Sequence, residues 1–416
     1  MQKKIALRLI LGLFTVAILF LGYNWLKEFV KDPNVGGGAS NTVGMVAAIQ
    51  YHDNGARAVA FRANGDMLES PNWTDADQDQ EISWSPNGNR VFLSSNRGQE
   101  AFNIFAWYPE KNLVEQRSTG SRSQSAPWFP IWAKPEDEST GLITAGGFVL
   151  AFDPKEQTTR QILPPVAKDR IAGEDGGTAG TLDALYSRLG SSFREAKWGQ
   201  DKESVFAVMR RDDGEVLIIN RLYADDPRML APVAYRAADE IQFDTTPEGG
   251  AVVVVRGFQF PDKENIEPEF IKNGVAVAPY KNEVSAIKFN EQGQPVPVML
   301  ALVQDDKNVF YDPAVSPDGT RLAIVIVDKS AETPKPIGLV IMPLEERGAE
   351  RGTMIVSGEV SMPSWSPDGS MLTYLKRQPT GNNSVFTIKA DGSGERRLTD
   401  EGDFTSPRFS PQIAKS

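Results

Sequence analysis

The sequence predicts an all-β protein, a closed ring of four-stranded antiparallel units, and three observations predict it. A phrase of short strand, Ser-Pro-Asp/Asn-Gly and apolar strand recurs at Ile82–Ser95, Ala314–Val327 and Pro363–Arg377, and starts again at Pro407–Pro411. The last three copies follow one another at 50 and 44 residues between their anchors Val315, Trp365 and Phe409, the period of a small sheet in a repeat array. The stretch before the first full copy, Val43–Ser70, reads as the later strands of a unit that lacks its first strand.

Within the phrase the first strand ends on an aromatic residue: Trp84, Trp365 or Phe409. In the turn that follows, proline presets φ at the first central position and Asp tolerates the second. Gly accepts the left-handed conformation, and Ser bonds back to the turn backbone. This is a tight hairpin signal. The second strand is apolar on both faces: Leu372 and Tyr374 point one way, Met371 and Leu375 the other, and every position from Leu322 to Val327 is apolar. A strand of that kind belongs in a sheet covered on both sides. Third strands follow at Asn103, Gly338 and Val385, and shorter, more polar fourth strands at Thr353 and Arg396.

The stretch Pro363–Asp403, with its aromatic before the turn, its "ADGSGERRLT" hairpin and its closing Leu-Thr, resembles a repeat of the TolB-type β-propeller family, relatives of the WD-repeat propellers. The resemblance implies a single β-propeller over residues 43–412. The anchors before each turn are Trp84, Trp132, Trp198, Phe243, Val315, Trp365 and Phe409, spaced by 48, 66, 45, 72, 50 and 44 residues. They give seven blades, or six if Trp198 or Phe243 is not an anchor. Phe409 then supplies the innermost strand of the blade that Val43–Gln50 and Arg57–Ser70 begin. N- and C-terminal strands share one sheet, which removes an open edge.

The two long spacings hold insertions at about 164–197 and 257–283. In the first, Leu182, Leu185, Tyr186 and Leu189 have the i, i+3, i+4, i+7 spacing of a short helix. In the second, Phe258, Phe260, Phe270 and Tyr280 are interleaved with carboxylates and are candidate partner-binding residues, or rings covering the blade beneath.

Leu9–Leu26 is an uncharged apolar run of 18 residues. As a helix it spans about 27 Å, near the thickness of a bilayer's hydrocarbon core. Lys3, Lys4 and Arg8 precede it, so the positive-inside bias leaves residues 1–8 as a cytoplasmic tip and puts the rest of the chain outside. The expected organisation is a transmembrane signal anchor at 9–26, a flexible linker at 27–42, and an extracytoplasmic propeller, periplasmic or at the cell surface. A cleaved signal peptide is the competing reading.

Chemistry is sparse. The chain has no cysteine, which excludes disulfides, thiolate metal sites and cysteine nucleophiles. Its net charge is −11, and the first 32 residues are basic, so the remainder is more acidic still. An acidic body repels phosphate backbones, which argues against a nucleic-acid partner. The single histidine, His52, reads as a turn residue, and no G-x-S-x-G elbow is present. Asp75–Glu81 begins like a calcium loop, yet Gln80 and Pro86 stand where that loop needs Gly and Glu. It reads as a solvated inter-blade loop, with calcium kept as the alternative to having no cofactor. The TolB-like resemblance implies a non-catalytic scaffold that binds a protein, a peptide or a cell-wall polymer through one face. The alternative is a hydrolase or lyase working in the central funnel through carboxylates or a bound ion.

Overall fold

The computed structural model describes residues 44–99, 101–118, 131–134, 137–145, 147–153, 157–164, 192–199, 204–211, 214–221, 233–257, 282–291, 293–302, 307–330, 333–399 and 401–411, all within one compact unit, Thr42–Ser416. The cytoplasmic tip, transmembrane segment and linker expected over 1–42 lie outside the described residues, as do 165–191 and 258–281, which contain Phe258, Phe260, Phe270 and Tyr280. Among the described residues no helix is long and apolar enough to cross a membrane.

The described residues open with β1 (Val46–Tyr51), β2 (Ala56–Phe61) and β3 (Met67–Glu69). Six complete blades follow. The first is β4 (Asp79–Trp84), β5 (Val91–Ser95), β6 (Asn103–Tyr108) and β7 (Leu113–Gln116); the second is β8 (Ile131–Lys134), β9 (Asp137–Ala145), β10 (Phe148–Asp153) and β11 (Thr158–Leu163). The third is β12 (Ser192–Trp198), β13 (Ser204–Arg211), β14 (Gly214–Arg221) and β15 (Val233–Ala238); the fourth is β16 (Glu240–Thr245), β17 (Ala251–Arg256), β18 (Asn282–Phe289) and β19 (Pro295–Leu302). The fifth is β20 (Asn308–Val315), β21 (Arg321–Asp328), β22 (Lys335–Pro343) and β23 (Thr353–Ser357); the sixth is β24 (Val360–Trp365), β25 (Met371–Arg377), β26 (Asn383–Lys389) and β27 (Arg396–Arg397). The ring closes when β28 (Asp403–Phe409) pairs with β1 in the order β28-β1-β2-β3, Val46 opposite Phe409 and Tyr51 opposite Asp403.

The seven anchors therefore lie on the seven innermost strands, and the count of seven holds. Neighbouring innermost strands touch in sequence around the ring: β28 with β4, then β8, β12, β16, β20, β24 and back to β28. The insertion boundaries are corrected. Ser192–Trp198 is a full innermost strand rather than the tail of an insertion, and β18 begins at Asn282. Both strands are hard to read locally. A bulge between Phe193 and Glu195 breaks the alternation of β12, and β18 opens with the buried polar pair Asn282 and Glu283.

The Ser-Pro-Asp-Gly turns are built alike. Gly369 N–H donates to Ser366 O at 2.9 Å, Met371 N–H to Ser366 Oγ at 2.9 Å, and the Ser366 hydroxyl to Asp368 Oδ1 at 2.6 Å. Gly369 sits at φ +67, where a Cβ is strained. The equivalent Gly88, at φ +66, would drive a Cβ to 2.7 Å from the carbonyl of Pro411, just past β28, so this glycine also lets the first blade pack on the closing strand.

The core lies between blades. Seven clusters of buried apolar residues each span one blade-to-blade seam. The seam between the sixth and closing blades joins Leu375 and Val385 to Val59, Phe61 and Phe404, with the two phenylalanine rings edge-on at 6.0 Å. Strands apolar on both faces follow from this: each sheet has a neighbour above and below. A fully buried aliphatic or aromatic side chain contributes about 1.5–3 kcal/mol, repeated around the ring.

Candidate functional site

The innermost strands surround a cavity of ≈ 660 Å³ lined by residues of β4, β12, β16, β20, β24 and β28. Its wall is shaped by a repeated irregularity. Glu81, Asp312, Met362 and Ser406 each sit three residues before their anchor, each has positive φ (43, 51, 52 and 54), and each lies at a register shift against the second strand. Such bulges re-aim a side chain and are enriched beside functional sites. In three of the four strands the next residue is proline: Pro313, Pro363 and Pro407. That proline two places before the anchor was present in the sequence as the signal for the bulge. The aromatic and the turn carry the stronger pattern and mask it.

Along one side of the channel, polar groups fasten blade to blade. Lys197 on β12 donates to Phe243 O at 2.9 Å and lies 3.3 Å from Asp244 Oδ1 on β16. Asp244 Oδ2 in turn accepts from Val315 N–H on β20 at 2.8 Å. Gln242 Oε1 accepts from Asp312 N–H at 2.7 Å, and Asp312 Oδ2 accepts from Met362 N–H on β24 at 2.9 Å. The Trp365 indole N–H donates to Ala314 O at 2.9 Å. Arg194 pairs with Glu215 at 3.0 Å and reaches the Ile241 carbonyl. Burial pulls the Lys197 ammonium down, but Asp244 and Glu195 outweigh it and leave the group raised; burial of Arg194 is likewise outweighed by Glu215. Both stay cationic because they are paired.

The other side, formed by β28 and β4, differs. The Trp84 indole N–H donates to Arg408 O at 3.0 Å, the counterpart of the Trp365 bond. The Arg408 side chain is exposed to the cavity and bonds only the neighbouring Pro407 carbonyl, at 3.4 Å, with no ion pair among the described residues. Glu81 faces the same space, and no hydrogen-bond partner for it is found among the described residues. Burial pushes its carboxyl up, with Arg408 pulling the other way and Glu195 adding to the rise. Ser83 and Ser406 add hydroxyls to this wall, and Ser364 on the adjoining β24 lines the same cavity.

This wall is held from outside the cavity. Asp79 and Arg97, 0% and 3% exposed, form a buried ion pair at 2.6 Å. Asp79 Oδ2 also accepts from Ala58 N–H at 2.9 Å and from Ser70 Oγ at 3.2 Å, tying the first blade to the closing blade. Asp79 and Asp77 belong to the segment read from sequence as a solvated loop. Both are buried instead, because each finds a local donor set: Arg97 and Ser70 for Asp79, and Thr74 N–H at 2.7 Å and Thr74 Oγ1 at 2.9 Å for Asp77. Among the described residues no group of three or more His, Cys, Asp or Glu is placed to hold a metal ion.

His52 lies in the turn between β1 and β2, its N–H donating to Gly55 O at 2.8 Å and its ring 4.8 Å from Trp73, apart from the cavity lining. Arg396 is exposed on β27 and donates to Ala63 O and Asn64 O of the closing blade, at 2.9 and 3.1 Å. The four lining carboxylates, Glu81, Glu195, Asp244 and Asp312, come from four different blades. Only ring closure brings them together.

No protein-family model matches the chain. A TolB homologue from Chlorobium luteolum is 34% identical over 118 residues, 28% of this chain and 25% of that protein. The matched stretch is thus a quarter of the relative's length. Among solved structures, a puromycin hydrolase in complex with PGG superposes with a TM-score of 0.55 at 11% identity, over 88% of this chain and 54% of that one. An oligogalacturonate lyase in complex with manganese gives 0.50 at 8%, over 86% of both chains. TolB from Acinetobacter baumannii gives 0.48 at 12%, over 90% of this chain and 68% of that one. At these identities the structural likeness speaks to fold alone.

Proposed function

We propose that this chain, a TolB-like seven-bladed β-propeller, is a membrane-tethered, extracytoplasmic binding scaffold for a protein, a peptide or an envelope polymer. The observation that carries the reading is the use of the channel's polar groups. Lys197, Gln242, Asp244 and Asp312, the residues that a funnel catalyst would need free, are engaged in fastening blades together. A binding face requires only a rigid frame, and these bonds make one. In an antiparallel four-stranded blade, the connection between second and third strands and the connection to the next blade leave from the same end. The strand ends flanking both long insertions, Leu163 and Ser192, Arg256 and Asn282, therefore share one face. Phe258, Phe260, Phe270 and Tyr280 would present aromatic contacts from that face, and Leu9–Leu26 would hold the propeller at the membrane with its N-terminus inside.

Two measurements test the reading. A reporter active only outside the cytoplasm, fused after Ser416, should be active, and the chain should stay with membranes in alkaline carbonate. Crosslinking in the native envelope should then capture a partner whose yield falls when the four aromatic residues are changed to Ser. A silent reporter removes the location, and an aromatic-independent yield removes the face.

One observation favours the second reading, a hydrolase or lyase. Burial holds the Glu81 carboxyl above its ordinary range in a cavity that Glu195 also lines, which is how a general acid is poised. Turnover of peptide or polyuronate substrates that Glu81→Gln abolishes would establish it.

A further inference from the structure

The channel wall formed by β28 and β4 leaves an unmatched pair of opposite charges facing one cavity. Arg408 and Glu81 stand on adjacent innermost strands, farther apart than an ion pair, while the cations and carboxylates across the channel are bonded to each other or to backbone. A ligand lying between them should offer an anion to the guanidinium and a hydrogen-bond donor to the carboxylate. Charge selects among anions. With Glu81, Glu195, Asp244 and Asp312 against Arg194, Lys197 and Arg408, the lining has one more carboxylate than it has cations, which disfavours a dianionic phosphate and admits a single carboxylate. The neighbouring surface adds a third requirement. Met362 is 36% exposed and lines the cavity with Pro363, the next residue, an apolar rest for a side chain.

We infer that this wall is a binding site for the C-terminal residue of a peptide. The terminal carboxylate lies on Arg408, supported by the hydroxyls of Ser364 and Ser406. The last peptide N–H donates to Glu81, and the last side chain rests on Met362 and Pro363. A guanidinium suits this task because it donates two parallel bonds to one carboxylate. A polyuronate also offers carboxylates, but it has no apolar side chain for Met362. The wall can leave these groups free because the buried Asp79–Arg97 pair and the Trp84 indole already join the two blades. The inference rests on the scaffold reading and narrows its partner to a chain end.

The test uses the full chain in detergent micelles, immobilised and offered two random hexapeptide libraries, one with free C-terminal acids and one with amides. The acid library should be retained at least about tenfold better, the ratio expected for one charge-assisted bond pair. Arg408→Gln should erase the preference, Arg408→Lys should restore part of it, and both variants should melt with the parent. Glu81→Gln should weaken acid binding less than Arg408→Gln does. Equal retention of acid and amide, or retention of neither, overturns the inference. Arg408-dependent retention of oligogalacturonate with no retention of peptide also overturns it. Envelope crosslinking with Arg408→Gln separates the two readings: an undiminished partner yield leaves the scaffold standing and removes the chain-end site, whereas the absence of any partner for the parent chain removes the scaffold itself.

Discussion

Two stretches of the channel wall are built from the same repeat yet join their blades differently. From β12 to β24, side chains that line the cavity reach the next blade: Lys197 to Phe243 O, Asp244 to Val315 N–H, Asp312 to Met362 N–H. From β28 to β4, the side chains at matching positions, Arg408 and Glu81, remain in the cavity, and the blades are joined by an indole bond and by a buried ion pair outside it. The contrast teaches that cohesion in a ring can be moved along a seam. Where it sits away from the channel, the channel residues are free to meet a ligand.

The largest effect should come from removing the strand that makes the second stretch possible. Deleting Asp403–Ser416 takes away the innermost strand of the closing blade and opens the ring at a seam holding Phe61, Leu375 and Val385. Loss of cooperative melting is expected, and a truncated chain that still melts in one step at the parent temperature would rule out the clasp. Next is Asp79→Ala. It strands the Arg97 guanidinium in a buried site, which typically costs about 3–5 kcal/mol, read by denaturant titration. A cost below about 1 kcal/mol would show that the second stretch is not held where the contrast places it.

Lys197→Met and Arg408→Gln form the direct comparison. The first removes a bond to a backbone carbonyl and the partner of Asp244, and should cost about 1–3 kcal/mol. The second removes a side chain bonded only to its neighbour's carbonyl and should stay within about 0.5 kcal/mol. Equal costs would erase the distinction between the two stretches.

The smallest effect carries a sign. Burial raises the folded pKa of Glu81 above its unfolded value. Below the unfolded pKa the group is neutral in both states and costs nothing. As pH rises from the unfolded pKa to the folded one, the unfolded state ionises first and stability falls, and the loss is complete above the folded pKa. Glu81→Gln should therefore raise the melting temperature at neutral pH, and the gain should vanish in acid. A gain that persists in acid would point to packing rather than charge.

The blades were legible because their signals are local. Ser366, Asp368 and Gly369 form their turn from their own hydrogen bonds and backbone freedom, and Trp84 or Trp365 before such a turn is buried in whichever blade it falls. The same locality let Val43–Gln50 and Phe409 be matched as parts of one sheet, since each carried half of a known pattern. β12 was half-hidden because its bulge breaks alternation, and Asp79 was misread because its partner Arg97 lies in the loop after β5, beyond the next strand.

The sequence by itself determined the repeat and the strand that closes the ring, because turn chemistry and apolar periodicity act over a few residues; it left the count at seven blades or six, and the sheet pairing decided for seven. Only the tertiary structure decided which polar side chains are bonded and which stay free in the channel. Glu81, Lys197, Asp244, Asp312 and Arg408 sit on five different blades, and their partners are set by how ring closure brings distant strands to one axis.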